Sequence, residues 1–236
     1  MKKLLMNQKL VITVFSVLIV GLALFALVPM VVALVMGPGV RTEPVNAENA
    51  EPATTDVDGE WAVVQGRPPN TSSVGFTFEE VLPGERTRTS GSTQDVSGAV
   101  TIEEGTLTAG EIVVDLTNIV TDRDVRDENV RNKLLETHDY PEATFEITEP
   151  ADLSEVPDDG TLGEVELTGE LTIKGNTNDV VQPFQVLRDG DLIVVSGDVV
   201  IDRNEYGVES PEMIAADIAD EGEINIRVAL GKDGQE

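Results

Sequence analysis

Residues 164–174 read EVELTGELTIK, and apolar and polar side chains alternate along this stretch with a period of two. Every odd position is aliphatic or glycine, and every even position is charged or threonine. Successive side chains of a β-strand point to opposite faces, so the pattern predicts a strand with one apolar and one solvated face. Eleven residues at about 3.3 Å each would span about 36 Å, which is long for a strand and typical of a barrel or a large sandwich.

Seven further stretches carry strand signals, and short turns join several of them. Glu104-Gly105 is a tight-turn signal, and Asp189-Gly190 is a favoured two-residue hairpin turn. The sequence therefore predicts an all-β fold with an antiparallel sheet of about eight strands, in one domain that begins near Trp61. Residues 83–95 are rich in Pro, Gly, Thr, Ser and Arg and are predicted to form a long polar loop. The predicted strands are residues 74–79, 96–103, 106–117, 143–149, 162–174, 181–188, 192–203 and 223–230.

One segment departs from the strand pattern and favours a helix. Thr121 stands three residues before Asp124, a version of the capping box that begins helices. Val125, Val130 and Leu134 then recur at helical spacing. We predict a single helix of about 14 residues, ending near residue 135, that plugs or covers an open end of the sheet.

The N-terminal part of the chain differs in kind from the rest. Residues 1–9 carry three lysines, and residues 10–36 form an uncharged, mainly apolar run of 27 residues, where about 20 suffice to cross a bilayer. A secretory signal has an apolar region of only about 7–15 residues, and flanking lysines favour the cytoplasmic side. We therefore expect a cytoplasmic flank (1–9), a transmembrane anchor (10–36), a flexible acidic spacer (37–58) and an extracytoplasmic barrel domain (59–232). The alternative is a cleaved signal with its site near residue 47, which also exports the domain.

Charge and composition exclude several classes of function. The chain has 44 acidic and 16 basic residues, and beyond residue 9 the balance is 13 basic against 44 acidic, a net charge of −31. Such a field repels nucleic acid and anionic lipid head groups, so we exclude nucleic acid as a partner. The chain has no cysteine and one histidine, His138, which excludes disulfides, thiolate metal sites and a thiol nucleophile. No catalytic residue and no metal site are predicted.

The inward-facing side chains of a closed eight-stranded sheet would enclose a small interior. Two interpretations are open at this point: a packed core, or a tunnel for a lipid, since an apolar chain gains about 0.8 kcal/mol per buried CH₂. Gly169 and Gly197 fall on inward positions, where they either leave space or mark bends. The candidate wall residues, all aliphatic or phenylalanine, are Phe76, Phe78, Val114, Leu116, Phe145, Ile147, Val165, Leu167, Leu171, Ile173, Phe184, Val186, Val195, Val199 and Ile201.

Four motifs, in order along the chain, resemble those of a known family, the YceI-like proteins. Residues 121–135 are similar to that family's T-x-x-x-x-R-D-x-x-L helix, and residues 138–145, HDYPEATF, resemble its xYPxATF signature. Residues 167–177, LTGELTIKGNT, resemble its GxLTIxGxT strand and turn. Residues 201–208, IDRNEYGV, resemble its INRxDFGV segment. The resemblance extends over residues 61–230, which is essentially the whole predicted barrel domain.

The resemblance implies a lipocalin-like antiparallel barrel whose members bind polyisoprenoid lipids, such as quinones or prenyl chains, and have no known catalytic group. The sequence departs from the family at two places. The family commonly shows Gly-x-Phe shortly after its first strand, where this chain has the polar stretch 84–95. The turn after Lys174 carries Asn176 and Asn178, where the family often has an apolar and a basic residue.

The motif around Arg203 allows two interpretations. Asp202 and Arg203 with Tyr206 and Gly207 form a hydrogen-bonded corner, in which Gly207 supplies an unusual backbone angle. Alternatively, Arg203 and Tyr206 contact the polar head of a ligand at the barrel mouth, because a guanidinium group suits phosphate or carbonyl oxygens. Tyr140, which precedes a proline, is expected to be extended ahead of a strand.

Sequence and resemblance together lead us to expect an antiparallel eight-stranded lipocalin-like barrel with one short helix, preceded by an N-terminal transmembrane helix. The expected function is that of a membrane-anchored extracytoplasmic protein that sequesters or carries a long-chain isoprenoid lipid, of the quinone or polyprenyl type. We expect no reaction and no cofactor. The alternative is a non-catalytic structural or interaction module of the cell envelope with a fully packed core. Pairing into a homodimer is left open.

Overall fold

A computed structural model of the protein describes residues 40–82, 85–209 and 217–232. Within these residues the fold is almost entirely β-structure, with one short α-helix, α1 (Asp124–Asn129), which continues as a π-helical turn over Val130–Leu134. The strands are β1 (Gly59–Val64), β2 (Gly66–Arg67), β3 (Asn70–Thr71), β4 (Ser73–Leu82), β5 (Glu85–Thr93), β6 (Val96–Glu103), β7 (Thr106–Asp115), β8 (Glu142–Ile147), β9 (Ala151–Asp152), β10 (Leu162–Ile173), β11 (Asn176–Asp189), β12 (Leu192–Asp202) and β13 (Asp217–Lys232).

Eight of these strands form a closed antiparallel ring. The hydrogen-bonded order is β1, β6, β7, β8, β10, β11, β12 and β13, and β13 pairs back onto β1. Trp61 lies opposite Lys232 and Val64 opposite Ala229 at the seam between β1 and β13. The predicted all-β, antiparallel, eight-stranded closed barrel with one short helix is thereby confirmed.

The long strand β13 closes the barrel with two successive partners. Its C-terminal end pairs with β1, and its remainder pairs with β4, from Ser73 opposite Arg227 onwards. A register shift between Ile218 and Gly222 bends β13 along the β4 pairing. β1 and β4 therefore follow one another along the same side of β13. β6 pairs with β1 and β5 pairs with β4, so these two strands also follow one another at the next place around the barrel.

Strand β5 corrects the prediction of a polar loop over residues 83–95. It pairs with β4 along its whole length. On the outer face, the Thr77 hydroxyl lies 2.8 Å from the Ser90 hydroxyl and donates to Asn225 Oδ1 at 2.6 Å. Threonine favours strands, and cross-strand hydroxyl pairs stabilise them, so this segment is a strand although it lacks apolar alternation.

The predicted helix lies where we expected it, but it begins differently. Arg123 occupies the N-cap position and its side chain makes no capping bond. The Thr121 backbone N–H and hydroxyl both donate to Asp127 Oδ1, each at 2.6 Å. The predicted capping pair of Thr121 with Asp124 is therefore wrong. Asp127, one turn further into the helix, is the residue that fixes its start.

Residues 40–58, which we call the strap, contact the outside of the barrel along the part of the chain where the sequence predicted a spacer. The Thr42 hydroxyl lies 2.8 Å from the Ser73 hydroxyl, and the Thr54 N–H donates to the Gly190 carbonyl at 2.7 Å. Val45 packs into a small apolar cluster on the outer face of the sheet. This cluster consists of Val45 with Leu187, Val194 and Ala229. Isolated backbone and hydroxyl bonds of this kind leave no periodic signal in a sequence.

The predicted cytoplasmic flank (1–9) and transmembrane anchor (10–36) lie outside the described residues. Among the residues that are described, no helix has both the length and the apolar character needed to span a bilayer.

The outer face of the barrel carries four carboxylates in one row across four neighbouring strands. Glu111 lies opposite Glu146, Glu146 opposite Glu170, and Glu170 opposite Asp179. All four are exposed, and none takes part in an ion pair found among the described residues. Like charges directly opposite one another destabilise a sheet, so repulsion within this acidic row lowers the stability of the folded protein.

Neutralising one member of the acidic row should stabilise the protein at low salt. We expect Glu170→Gln to raise the free energy of unfolding by about 0.5 kcal/mol at low ionic strength, because it removes repulsion from Glu146 and Asp179. The gain should shrink as added salt shortens the screening distance. Denaturant unfolding at several salt concentrations measures the effect. Glu164→Gln is the control on the same strand, because Glu164 lies opposite Gln185; an equal gain for both variants would contradict the prediction.

Candidate functional site: an apolar cavity along the barrel

The barrel encloses a cavity of about 880 Å³. This volume lies in the upper part of the range of about 300–1,000 Å³ typical of ligand pockets. On β12 the wall extends from Ile193 to Ile201, and on β10 from Val165 to Ile173. Eight residue steps on each strand correspond to about 26 Å of strand length, so the cavity is elongated along the barrel.

Most of the wall residues predicted from alternation do line this cavity. They are Phe76, Phe78, Val114, Leu116, Phe145, Ile147, Val165, Leu167, Leu171, Ile173, Phe184, Val186, Val195 and Ile201. Val199 is the exception: it is 1% exposed and belongs to the surrounding core, but it does not reach the wall. Contact of these residues with a ligand stays a prediction.

The wall also includes residues that the sequence reasoning did not select. Ile224, Ile226 and Val228 line the cavity from β13, where they alternate as clearly as the selected residues, so the same signal would have found them. Leu153 and Leu134 line it from outside the regular strands. No two-residue period marks such positions, and only the folded chain brings them to the wall.

Each phenylalanine of the described residues lies against a glycine of a neighbouring strand. Gly197 on β12 lies against Phe184 on β11, and a methyl group built on Gly197 would be 2.7 Å from Phe184 Cδ1. A methyl group on Gly169 would be 2.7 Å from Phe145 Cζ. The rings therefore lie along the wall, in the space that the glycines leave, and do not fill the lumen. The same relation holds for Phe76 with Gly91 and for Phe78 with Gly222.

The two ends of the cavity differ in polarity and exposure. At one end, which we call the tryptophan end, Trp61 is 1% exposed and its Nε1–H donates to the Val57 carbonyl at 2.8 Å. The wall near this end is apolar and buried, with Ile102, Leu107, Leu153, Ile193 and Leu230. At the other end, the helix end, residues on and before α1 line the cavity, among them Val125, which is 72% exposed.

Arg203 forms a hydrogen-bonded corner at the helix end. It is 7% exposed, and it donates to the backbone carbonyls of three residues and to Asp220 Oδ1 at 2.9 Å. The carbonyl acceptors belong to Val208 (2.8 Å), Ala219 (3.1 Å) and Ile218 (3.3 Å). Four of the five guanidinium N–H groups are thus engaged. These bonds support the corner interpretation, and the contact of Arg203 with a ligand head group stays a prediction.

The other residues of this motif support the same corner. Asp202 Oδ1 accepts from the Asn204 N–H at 2.9 Å, which begins the 3-10 helix Arg203–Tyr206. Gly207 ends it with φ of 66°, the left-handed angle expected for that position. Tyr206 is 2% exposed and does not line the cavity, and its burial raises the pKa of the phenol above its ordinary value.

The two asparagines that depart from the family pattern connect the β10–β11 turn to this corner. Asn176 Nδ2 donates to the Tyr206 carbonyl at 3.0 Å, and Asn178 Nδ2 donates to the Glu205 carbonyl at 3.3 Å. Lys174 Nζ donates to the Gly207 carbonyl at 3.0 Å and lies 2.7 Å from Glu136 Oε1. An apolar side chain at position 176 or 178 would not make these bonds.

His138 is exposed on the surface, in the turn before β8. In the part of the chain that the structure describes, no three acidic or histidine side chains are close enough together to hold a metal ion.

A closed antiparallel barrel around an elongated apolar cavity is the architecture of the small barrels that enclose one ligand, such as the lipocalins. Residues 67–230 match the family described as the YceI-like domain, which is more than two thirds of the chain. The protein therefore belongs to the YceI-like domain family, as the four sequence motifs indicated.

Known relatives agree with this assignment. The chain is 31% identical over 104 residues to Protein YceI of Escherichia coli O6:H1, covering 43% of this chain and half of that protein. It is similar to BcnA of Burkholderia cenocepacia, with a TM-score of 0.55, 21% identity and coverage of 67% of this chain and 95% of that chain. A polyisoprenoid binding domain from Saccharophagus degradans, implicated in plant cell wall breakdown, gives a TM-score of 0.54, 18% identity and coverage of 68% and 97%. At these identities the structural likeness concerns the fold.

Adding a methyl group at Gly197 should force the Phe184 ring out of its place on the wall. The backbone of Gly197 has no left-handed angle, so we expect Gly197→Ala to act through this clash and to lower the free energy of unfolding by about 1–3 kcal/mol. Denaturant unfolding measures the loss. In Gly197→Ala combined with Phe184→Leu, the shorter side chain should relieve the clash, giving a favourable coupling in a double-mutant cycle. Additive effects would contradict the proposed contact.

Replacing Arg203 should destabilise the protein even when no lipid is bound. We expect Arg203→Lys to lower the free energy of unfolding by about 3 kcal/mol, because lysine keeps the charge but cannot reach three carbonyls and a carboxylate together. Arg188→Lys is the matched control, since Arg188 donates to one carbonyl, that of Thr55. Unfolding of the lipid-stripped protein measures both. Unchanged stability of Arg203→Lys would contradict the structural role of the corner.

Proposed function

We propose that the protein binds a long-chain isoprenoid lipid, of the quinone or polyprenyl type, in the barrel cavity, and sequesters or carries it without a reaction of its own. One observation supports this most directly: an elongated space of about 880 Å³ whose wall is almost entirely aliphatic and phenylalanine side chains. The family assignment agrees with it, because the related domain from Saccharophagus degradans is a polyisoprenoid binding domain.

The energetics of the cavity suit an apolar chain. Each CH₂ group that leaves water for an apolar environment gains about 0.8 kcal/mol, so a chain of several isoprene units needs no polar contact to be bound. Ordering a flexible chain opposes this gain. A narrow cavity that follows about 26 Å of strand accommodates an extended chain better than a compact or ring-shaped ligand of equal volume.

The alternative function, a structural module with a fully packed core, is less consistent with this interior. Protein cores are close-packed, and their voids are few and rarely larger than a water molecule. A cavity of about 880 Å³ departs widely from that rule. The glycines beneath the four phenylalanine rings enlarge the space, whereas larger side chains at the same positions would reduce it.

We further propose that the barrel is held at the outer side of a membrane by an N-terminal anchor. The support is the apolar run of 27 residues at positions 10–36 with three lysines before it. An anchored barrel would remain next to the bilayer in which isoprenoid lipids dissolve. Fractionation of cells with protease treatment of intact cells tests the location. An anchored protein that is cleaved from outside supports the proposal, and recovery in the cytoplasmic fraction contradicts it.

Lipid binding can be tested by organic extraction of the full-length protein, purified in mild detergent, followed by mass spectrometry. We expect an isoprenoid to co-purify in near-stoichiometric amount. Leu167→Trp places a large side chain in the middle of the cavity wall and should reduce the bound lipid several-fold. Val181→Trp, at an exposed position on β11, is the control for lipid carried over with the detergent. Equal lipid in both variants, or none in the wild type, would contradict the proposed function.

A further inference from the structure

The polar side chains of the cavity wall are confined to the helix end. Among the described residues they are Glu80 on β4, Thr89 on β5, Arg123, Asp124, Arg126 and Asn129 on and before α1, and Arg203 after β12. Thr144, at the start of β8, belongs to the same end. The wall towards the tryptophan end has only apolar side chains and glycine. A ligand with one polar head and one apolar tail therefore has a preferred orientation in this barrel. Its head lies at the helix end and its tail lies at the tryptophan end.

Thr89 supplies a hydrogen-bonding group that none of the described residues uses. Its side chain is 5% exposed and lines the cavity, and its hydroxyl oxygen has no hydrogen-bond partner among the described residues. It lies directly opposite Phe78, an inward-facing wall residue, so Thr89 also faces inward. A buried hydroxyl without a partner costs free energy, and a ligand carbonyl or hydroxyl within its reach would remove that cost.

Glu80 places a carboxylate on the same inner surface. In the β4–β5 register Glu80 lies opposite Thr87, two residues from the Phe78–Thr89 pair, so Glu80 and Thr89 are diagonal neighbours. Glu80 takes part in none of the ion pairs found in the described residues. A negative charge at the helix end of the wall repels an anionic group that enters there.

The arginines at the helix end are already engaged by acidic side chains. Arg126 and Arg123 both contact Asp122, the latter at 3.6 Å between Nε and Oδ2. Arg203 is bound to Asp220 and to three carbonyls. A phosphate group at this end would have to compete with these partners for the guanidinium groups, and it would do so in a protein with a net charge of −28.

From these observations we propose that the ligand is an uncharged isoprenoid with a hydrogen-bonding head, such as a quinone or an alcohol, and that Thr89 binds this head while Glu80 excludes phosphorylated isoprenoids. The proposal rests on the proposed function, since it specifies which lipids the cavity accepts. Thr89 and Glu80 are specificity-determining residues in this assignment, and the apolar remainder of the wall provides affinity for the tail.

The test compares three ligands with one isoprenoid carbon skeleton, two of which, an alcohol and its diphosphate, differ only in the head group. Geranylgeraniol, geranylgeranyl diphosphate and the headless hydrocarbon phytane are titrated against a fluorescent apolar probe bound to the full-length protein in mild detergent at low salt. We expect geranylgeraniol to bind at least about tenfold more tightly than the diphosphate. Glu80→Gln should reduce the ratio of the two affinities, that for geranylgeraniol over that for the diphosphate, by about threefold to tenfold. Glu79→Gln removes the same charge from the outer face of the same strand and should leave the ratio unchanged.

The Thr89→Val variant separates the head-group contact from general packing. It should weaken geranylgeraniol binding by about threefold to tenfold, the value of one hydrogen bond, and leave phytane binding unchanged. Valine has nearly the same shape, so the lipid-free variant should be at least as stable as the wild type if the hydroxyl has no partner. Loss of stability in Thr89→Val would contradict the assignment independently of any ligand.

The outcomes distinguish this proposal from the function on which it rests. If the diphosphate binds as tightly as the alcohol, or if Glu80→Gln and Glu79→Gln change the ratio equally, head-group selection is wrong while lipid binding stands. If none of the three compounds displaces the probe, both the proposed function and the proposed head-group selection are wrong.

Discussion

The pairing of β13 with β1 and then with β4 is the constraint on which the barrel depends. Without this seam the sheet would be open, its inward side chains would face no common space, and its edge strands would expose unpaired backbone groups. With the seam closed, eight strands enclose one interior. Two-residue alternation places the apolar side chains of one face of each strand in this interior. The glycines next to Phe76, Phe78, Phe145 and Phe184 leave room for these rings against the wall. The rings therefore do not fill the interior.

The parts of this structure that follow a simple period could be predicted from the sequence. β10 alternates strictly from Glu164 to Ile173, and nearly all wall residues chosen from alternation line the cavity. β5 could not be recognised, because hydroxyl pairs such as Thr77 with Ser90 stabilise it in place of an apolar face. The strap was also missed, since its bonds to the barrel use single backbone groups at irregular spacing. Such features depend on partners that are distant in sequence, as Val45 and Ser196 are.

The corner at Arg203 shows the structural role of a sequence motif. Its guanidinium group joins the end of β12 to the start of β13, and Asn176 and Lys174 connect the β10–β11 turn to the same place. These bonds fix three chain segments around the helix end, where the polar wall residues Glu80 and Thr89 also lie. The motif therefore holds the shape of the helix end, and Glu80 and Thr89, which lie outside the motif, line the cavity there. Sequence motifs alone would have directed attention to Arg203 and away from both.

The position of Trp61 has a practical consequence for following lipid uptake. It is the only tryptophan of the chain, its indole is buried, and its N–H is bound to the Val57 carbonyl at the apolar end of the lumen. The tryptophan emission of the protein, excited selectively over Tyr140 and Tyr206, therefore originates from one place and reports on the surroundings of that place. A guest that enters from the opposite end would alter this emission only when its tail reaches Val100, the wall residue opposite Trp61. Tryptophan fluorescence would therefore report how deeply a lipid chain is inserted into the barrel.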